Sequence, residues 1–125
     1  MGLPDDFPKN VPVPPGTVFI LVRRAEHRML VQGYVPMELG QAVRFFIDKF
    51  PPAGFVLGRG ETEEGEAEAP FRGNGIMGGF KLRISRDCPG WLELVMSLQE
   101  MPPPGAGTLK RRGITIKSLK RHTLF

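Results

Sequence analysis

A helical hydrophobic pattern occurs once in this chain, at residues 36–50, PMELGQAVRFFIDKF. Pro36 suits the first turn of a helix, Glu38 suits its positive end, and Pro51 ends it. Phe45 lies beside the apolar stripe and is predicted to flank the core. The stripe itself consists of residues at helical spacing: Leu39, Ala42, Val43, Phe46, Ile47 and Phe50.

The other apolar segments have the alternation or the β-branched content of strands. Strands are predicted at residues 17–24, 28–35, 53–61, 76–87 and 91–99. The run TVFILVRR at 17–24 is apolar enough for a central strand, and Gly33 is expected to mark a bulge. The polar stretch 62–75 forms either a loop or a hairpin whose second arm runs through 67–72.

One helix can cover only one face of a sheet. The predicted fold class is therefore α+β, a two-layer sandwich in which one helix packs on a mostly antiparallel sheet of four to six strands. The uncovered face is expected to be exposed to solvent. It carries Lys81, Arg83, Glu93 and Ser97.

Proline and glycine divide the chain into three parts. Residues 1–16 hold five prolines and form an extended lead-in, with Phe7, Val11 and Val13 as its anchors on the body. Residues 17–100 form the α+β domain. Residues 101–125 are a Pro/Gly hinge followed by a basic tail.

The positive charge is concentrated in that tail. The chain has 17 Lys and Arg against 13 Asp and Glu. Six of the basic residues lie in 108–125, which contains no acid, so residues 1–107 keep 11 basic against 13 acidic residues. Such an asymmetry indicates a segment that contacts a partner.

The segments DDFPKNVPVPPGT, FPPAGFVL, APFRGNGIMGGFKLRI and LELVMSL together resemble a family of small uncharacterised bacterial domains that often occur in exported lipoproteins. The resemblance covers about residues 4–99. It implies a β-β-α-β-β-β fold and brings no established activity and no catalytic residues. This chain departs from the family in lacking a lipobox cysteine and leader and in carrying the basic tail.

The sequence offers no constellation for catalysis or metal binding, so we expect a protein that is not an enzyme and needs no cofactor. His27 and His122 have no ligand-forming neighbours at suitable spacing. The lone Cys88 precedes a Pro-Gly turn and is interpreted as a half-buried small hydrophobe. The glycines of RGNGIMGG precede a strand, where turns and bulges explain them better than a phosphate site does.

The tail mixes bases with apolar residues, and GITIK alternates like a strand. Our first hypothesis is that it docks as an edge strand on a protein partner or on a second copy. The predicted interaction residues are Leu109, Lys110, Arg111, Arg112, Ile114, Ile116, Lys117, Lys120, Arg121 and Phe125. A second hypothesis is nucleic-acid binding by the tail together with a face formed by Lys81, Arg83 and Arg86.

Two further hypotheses remain. The tail could fold back on the acidic stretch of its own chain, or the body could bind a small apolar ligand between helix and sheet, which we rank last. No stretch approaches the roughly 20 apolar residues of a membrane span. We expect a cytoplasmic protein, with export as the alternative if the natural chain carries a leader. The identity of the partner and the oligomeric state stay open.

Overall fold

The computed structural model describes residues 3–101. It contains one helix and seven strands. In chain order these are β1 (Val18–Ala25), β2 (Arg28–Val35), α1 (Leu39–Lys49), β3 (Val56–Leu57), β4 (Glu61–Glu63), β5 (Glu66–Gly73), β6 (Ile76–Ile84) and β7 (Leu92–Glu100).

All seven strands belong to one antiparallel sheet. Its order is β1-β2-β7-β6-β5-β3, and β4 also pairs with β5. The chain segment containing α1 leads from β2 to β3, past β7 and β6, to the far side of β5. The α+β class and the antiparallel sheet are confirmed, although strands dominate and α1 has only 11 residues.

The sheet of residues 3–101 has six strands in one continuous order and β4 as a seventh, against the four to six predicted. The strand predicted at 53–61 is reduced to β3. The hairpin alternative for 62–75 is confirmed, with β4 and β5 as its two arms. Regular pairing with β5 is interrupted between β3 and β4. The interruption lies opposite Pro70 of β5. The Gly58 N–H donates to the Pro70 carbonyl oxygen at 2.8 Å. Proline has no N–H to return that hydrogen bond, so regular pairing is interrupted between the two short strands.

The helix begins later than the sequence predicts. Glu38 is its N-cap, and the Glu38 backbone N–H donates to Oε1 of Gln41 at 3.1 Å. The chain still turns tightly before this point, where the Met37 N–H donates to the Val35 carbonyl at 3.0 Å. Pro36 therefore precedes the helix, and its predicted place in the first turn is wrong.

The core joins α1 to β5 and β6 through phenylalanines. Phe46 stacks on Phe80 of β6 with ring centroids 3.9 Å apart, and Phe50 meets Phe71 of β5 edge to face at 4.9 Å. Phe45 is half-buried and packs edge to face on Phe46, which confirms its place at the flank of the core. Ile47 is 53% exposed, so its predicted place in the buried stripe is wrong. No other described element covers that side of α1.

The lead-in covers the part of the sheet that α1 does not reach. Phe7 and Val11 are buried, and the Phe7 ring lies 6.2 Å from that of Phe19 in β1. The carboxylate of Asp6 accepts two hydrogen bonds from Arg24 of β1, at 2.7 and 2.9 Å. The predicted anchoring of the lead-in is therefore confirmed.

The first strand is not central. Within residues 3–101, β1 lies at one end of the sheet, and Val18 and Ile20 are 37% and 56% exposed. Its register shifts between Phe19 and Leu21, opposite Gly33. A Cβ on Gly33 would lie 2.3 Å from the Val18 carbonyl oxygen, so only glycine permits this close approach. The bulge predicted at Gly33 is confirmed.

Candidate docking surface

One face of the sheet has neither α1 nor the lead-in on it. We call it the open face. Strand alternation places four rows of residues on this face. Each row is a set of cross-strand neighbours taken in the order β1, β2, β7, β6 and β5. The four rows are Ala25–Arg28–Gln99–Met77–Arg72, Arg23–Leu30–Ser97–Gly79–Pro70, Leu21–Gln32–Val95–Lys81–Glu68 and Val18–Tyr34–Glu93–Arg83–Glu66.

The first two rows form the basic half of the open face. A concave groove of about 470 Å³ lies over them near the β1–β2 turn. We call it the arginine groove, and its side-chain lining on the open face comes from Arg23, Arg28, Leu30, Met77, Ser97 and Gln99. Its floor is apolar because Leu30 and Met77 lie there half-buried, and both arginines at its rim are exposed.

Neither groove arginine makes an ion pair among residues 3–101. Arg24, between them in sequence, points to the other face and is held by Asp6. The hydrogen bonds to that carboxylate raise the pKa of Arg24 further above its ordinary value, so this guanidinium stays charged. Arg23 and Arg28 are therefore the groove's cations.

The other two rows end in the acidic half of the open face. Glu68 is paired with Glu61 of β4, and Glu66 is paired with Glu63. Carboxylates directly opposite each other on neighbouring strands repel. Four carboxylates of the body thus lie together at the β4–β5 side of the sheet, and β7 and β6 separate them from Arg28 in β2.

Two of the three residues of the predicted basic face, Lys81 and Arg83, lie within this acidic half. Lys81 Nζ lies 3.9 Å from Glu66 Oε1, and Arg83 Nη2 donates to Glu93 Oε1 at 2.6 Å. The hydrogen bonds that Arg83 donates to Glu93 raise the pKa of Arg83. Arg86 is exposed in the loop after β6. The structure does not bring these three cations together into one uncompensated patch.

The predicted interaction residues of the tail, Leu109 to Phe125, lie outside the described residues. The structure describes the point from which the tail departs. The Glu100 N–H donates to the His27 carbonyl at 3.0 Å, and the Met101 N–H donates to the Gly75 carbonyl at 2.8 Å. The chain therefore leaves the body at the end of the sheet where the arginine groove lies.

The remaining sites named from the sequence are peripheral to this surface. His27 occupies the β1–β2 turn with φ of 61°, and its Nδ1 lies 2.9 Å from Glu100 Oε1. Cys88 is half-buried, as predicted, and its backbone N–H donates to Ser85 Oγ at 3.0 Å. Over residues 3–101, no helix has the length and apolar character required to cross a membrane.

The arginine groove was not predicted from the sequence, because its residues come from four strands, two of which are distant from the other two in the chain. A usable signal existed in VRRAEHR at residues 22–28. A two-residue turn at Glu26-His27 makes Ala25 and Arg28 opposite neighbours, and alternation then puts Arg23 and Arg28 on one face. The pairing of β2 with β7, which supplies Ser97 and Gln99, has no such local signal.

The fold therefore defines an α+β protein with a single antiparallel sheet, one covered face and one open face. Comparison with protein-family models, curated proteins and solved structures found no match to this chain. The resemblance of residues 4–99 to domains of exported lipoproteins accordingly stays a prediction.

Proposed function

We propose that this protein is a non-enzymatic interaction or assembly module. A two-layer α+β body presents the basic and apolar part of the tail, residues 109–125, to a protein partner or to a second copy. We call this part of the tail the arm. The arm supplies six cations and the alternating Ile114 and Ile116. An extended segment of this kind suits addition to the edge of another sheet, where backbone pairing gives affinity and alternate side chains give specificity.

The observation that supports this proposal is that residues 3–101 contain a continuous core of their own. Their buried apolar cluster runs from Phe7 to Leu98. Within the same residues, every buried side-chain nitrogen and oxygen has a hydrogen-bond partner. We infer that such a body folds without the arm, which leaves the arm available for contact.

The test compares the full chain with a chain ending at Met101. Light scattering gives the mass of each, and affinity capture followed by reconstitution with the purified partner gives heterologous binding. We expect the full chain to self-associate or to bind a defined protein, and the shortened chain to do neither. The same number of subunits in both forms, together with identical captured proteins, would contradict the proposal.

Two matched arm variants separate shape from charge. Ile114→Ser with Ile116→Ser removes the alternating apolar side chains and keeps every charge. Arg111→Gln with Arg112→Gln removes charge and keeps both isoleucines. Because strand addition depends on the apolar face as well as on the cations, we expect both variants to weaken binding. Loss of binding in the charge variant alone would favour a polyanionic partner.

Nucleic-acid binding is the second candidate, favoured by the exposed arginines Arg23, Arg28 and Arg72, which make no ion pair within residues 3–101. Together with the arm they could neutralise phosphates. Binding of this kind weakens steeply with salt, by roughly a thousandfold or more between 50 and 200 mM for six or more phosphate contacts. No binding of a generic duplex at 50 mM salt would eliminate this candidate.

A further inference from the structure

We propose that the arginine groove binds an extended acidic segment of the partner protein, in which an Asp or Glu and a large apolar residue stand two positions apart. The proposal deepens the proposed function, since it names the chemistry of the partner. It concerns a surface of the body that is separate from the arm. The arm and the groove would then act as two contacts for one partner.

The first support is the close approach of two like charges. Ala25 is directly opposite Arg28, and Arg23 lies two residues before Ala25 on the same face. Arg23 and Arg28 are therefore diagonal neighbours, with about 7–8 Å between such positions on adjacent strands. A carboxylate placed between their guanidinium groups would accept hydrogen bonds from both and relieve their repulsion.

The second support is that residues 3–101 provide no ion-pair partner for these arginines. None of the described ion pairs involves Arg23 or Arg28. Their charge is therefore uncompensated within the described part of the chain. We assign the complementary negative charge to the acidic segment of the partner protein.

The third support is the apolar floor of the groove, which lies beside the two arginines. Leu30 and Met77 are half-buried there, and Ser97 between them is small enough to leave the groove concave. In an extended segment, residues two positions apart point the same way and lie about 7 Å apart. The acidic residue of such a pair can therefore bind the arginines while the apolar residue, two positions away, packs on the apolar floor.

The open face favours a short acidic peptide over a nucleic acid. The basic half is only two rows wide, and the neighbouring rows carry Glu66, Glu68 and Glu93. A continuous polyanion crossing the sheet would meet these carboxylates. Tyr34 is the aromatic residue of the open face, and it stands beside Glu93 rather than in the groove, so bases find no stacking platform there.

The experiment uses the full chain and a fluorescent peptide, Ser-Glu-Ser-Leu-Ser-Glu-Ser-Leu, blocked at both ends. Fluorescence anisotropy at low salt measures its affinity. We expect Arg23→Gln with Arg28→Gln to weaken binding by about five- to tenfold, since two partly exposed charge pairs are lost. The matched control, Arg44→Gln with Arg86→Gln, removes the same charge from exposed sites outside the groove and is expected to change affinity less than twofold.

Two further probes test the groove's specificity. A peptide with Lys in place of Glu should not bind, and one with Ser in place of Leu should bind more weakly, as should the wild-type peptide to Met77→Ser. Equal loss in the groove and control variants would overturn the proposal, because binding would then follow net charge alone. Tighter binding of a DNA duplex that depends on Arg23 and Arg28 would also overturn it.

Failure of this inference and failure of the proposed function give different results. The proposed function fails when removal of residues 102–125 leaves partner binding and the number of subunits unchanged. The groove assignment fails when Arg23→Gln with Arg28→Gln leaves peptide binding unchanged. The absence of any peptide binding to the wild-type chain would also refute the groove assignment and would leave the arm experiment unaffected.

Discussion

Phe46 of α1 lies flat on Phe80 of β6, with ring centroids 3.9 Å apart and ring planes 8° from parallel. This contact fixes the helix over the middle of the sheet. Phe50 and Phe55 continue the same aromatic cluster toward Phe71, and all five rings are buried. The covered face is thus held by aromatic packing, which leaves the opposite face free for contact.

Phe46→Ala is expected to destabilise the body by about 3–5 kcal/mol, because it opens a cavity among fully buried rings. The neighbouring change Ile47→Ala is the matched control. Ile47 is 53% exposed and should contribute about 1 kcal/mol or less. Urea unfolding of both variants measures the difference, and similar losses for the two would show that the helix packs through another face.

Gly33→Ala is expected to destabilise the protein by about 1–3 kcal/mol, because the added Cβ would press on the Val18 carbonyl oxygen at the bulge. Gly40→Ala in α1 is the control, and it is expected to raise the free energy of unfolding rather than lower it. A Cβ there meets no atom within 4 Å, and alanine favours a helix over glycine by about 0.5–1 kcal/mol. Thermal unfolding gives both values. A neutral Gly33→Ala would contradict the bulge.

Asp6→Asn is expected to destabilise the docking of the lead-in at neutral pH. The hydrogen bonds from Arg24 lower the pKa of Asp6 in the folded state. A carboxylate with a lowered pKa stabilises the fold above its unfolded pKa of about 4, and this contribution is lost as the pH falls through the folded value. Unfolding of wild type and variant should therefore differ at pH 7 and converge in acid.

Asp5→Asn is the control for that experiment, since Asp5 makes no ion pair within residues 3–101. It should leave the unfolding free energy at pH 7 close to that of wild type. A gap between Asp6→Asn and wild type that persists unchanged below pH 3 would show that the Arg24 contact does not carry the effect.

A chain ending at Met101 is expected to fold and to unfold cooperatively, with a free energy of unfolding within about 1 kcal/mol of the full chain. The reason is that residues 3–101 contain a buried cluster from Phe7 to Leu98 and that Met101 makes its hydrogen bond to Gly75 within the same residues. Circular dichroism on heating tests this. A broad, non-cooperative transition would place residues 102–125 in the scaffold.

Local patterns predicted most of the elements. Alternation in the strands predicted at 76–87 and 91–99 puts one set of apolar residues on the inward face: Phe80, Leu82, Ile84, Leu92, Leu94, Met96 and Leu98. All of these are buried except Ile84, at the end of β6, which is 52% exposed. The boundaries of β2 matched the prediction, as did the burial of Phe46 and Phe50. These features depend on spacing within one segment, where a period of two or of 3.6 residues reports directly on which side is covered.

Features that depend on pairing between distant segments were not predictable in this way. The run containing Phe19 and Ile20 is apolar enough for a central strand, yet β1 lies at the end of the described sheet. The lead-in covers Phe19 in place of a neighbouring element. Likewise, Pro70 interrupts the pairing between β3 and β4 only because it lies opposite Gly58, a relation that spacing along the chain does not reveal.

The pairing of β2 with β7 also bears on how the chain is made. Arg28 stands opposite Gln99 and Val35 opposite Leu92, so these two neighbouring strands come from positions up to 71 residues apart. The first hairpin, emerging early from the ribosome, has no partner for its inner edge until the last strand has been synthesised. Pairings of such long range close slowly. The sheet is therefore expected to close only after β7 has left the ribosome, and until then the inner edge of the early hairpin stays open to other strands.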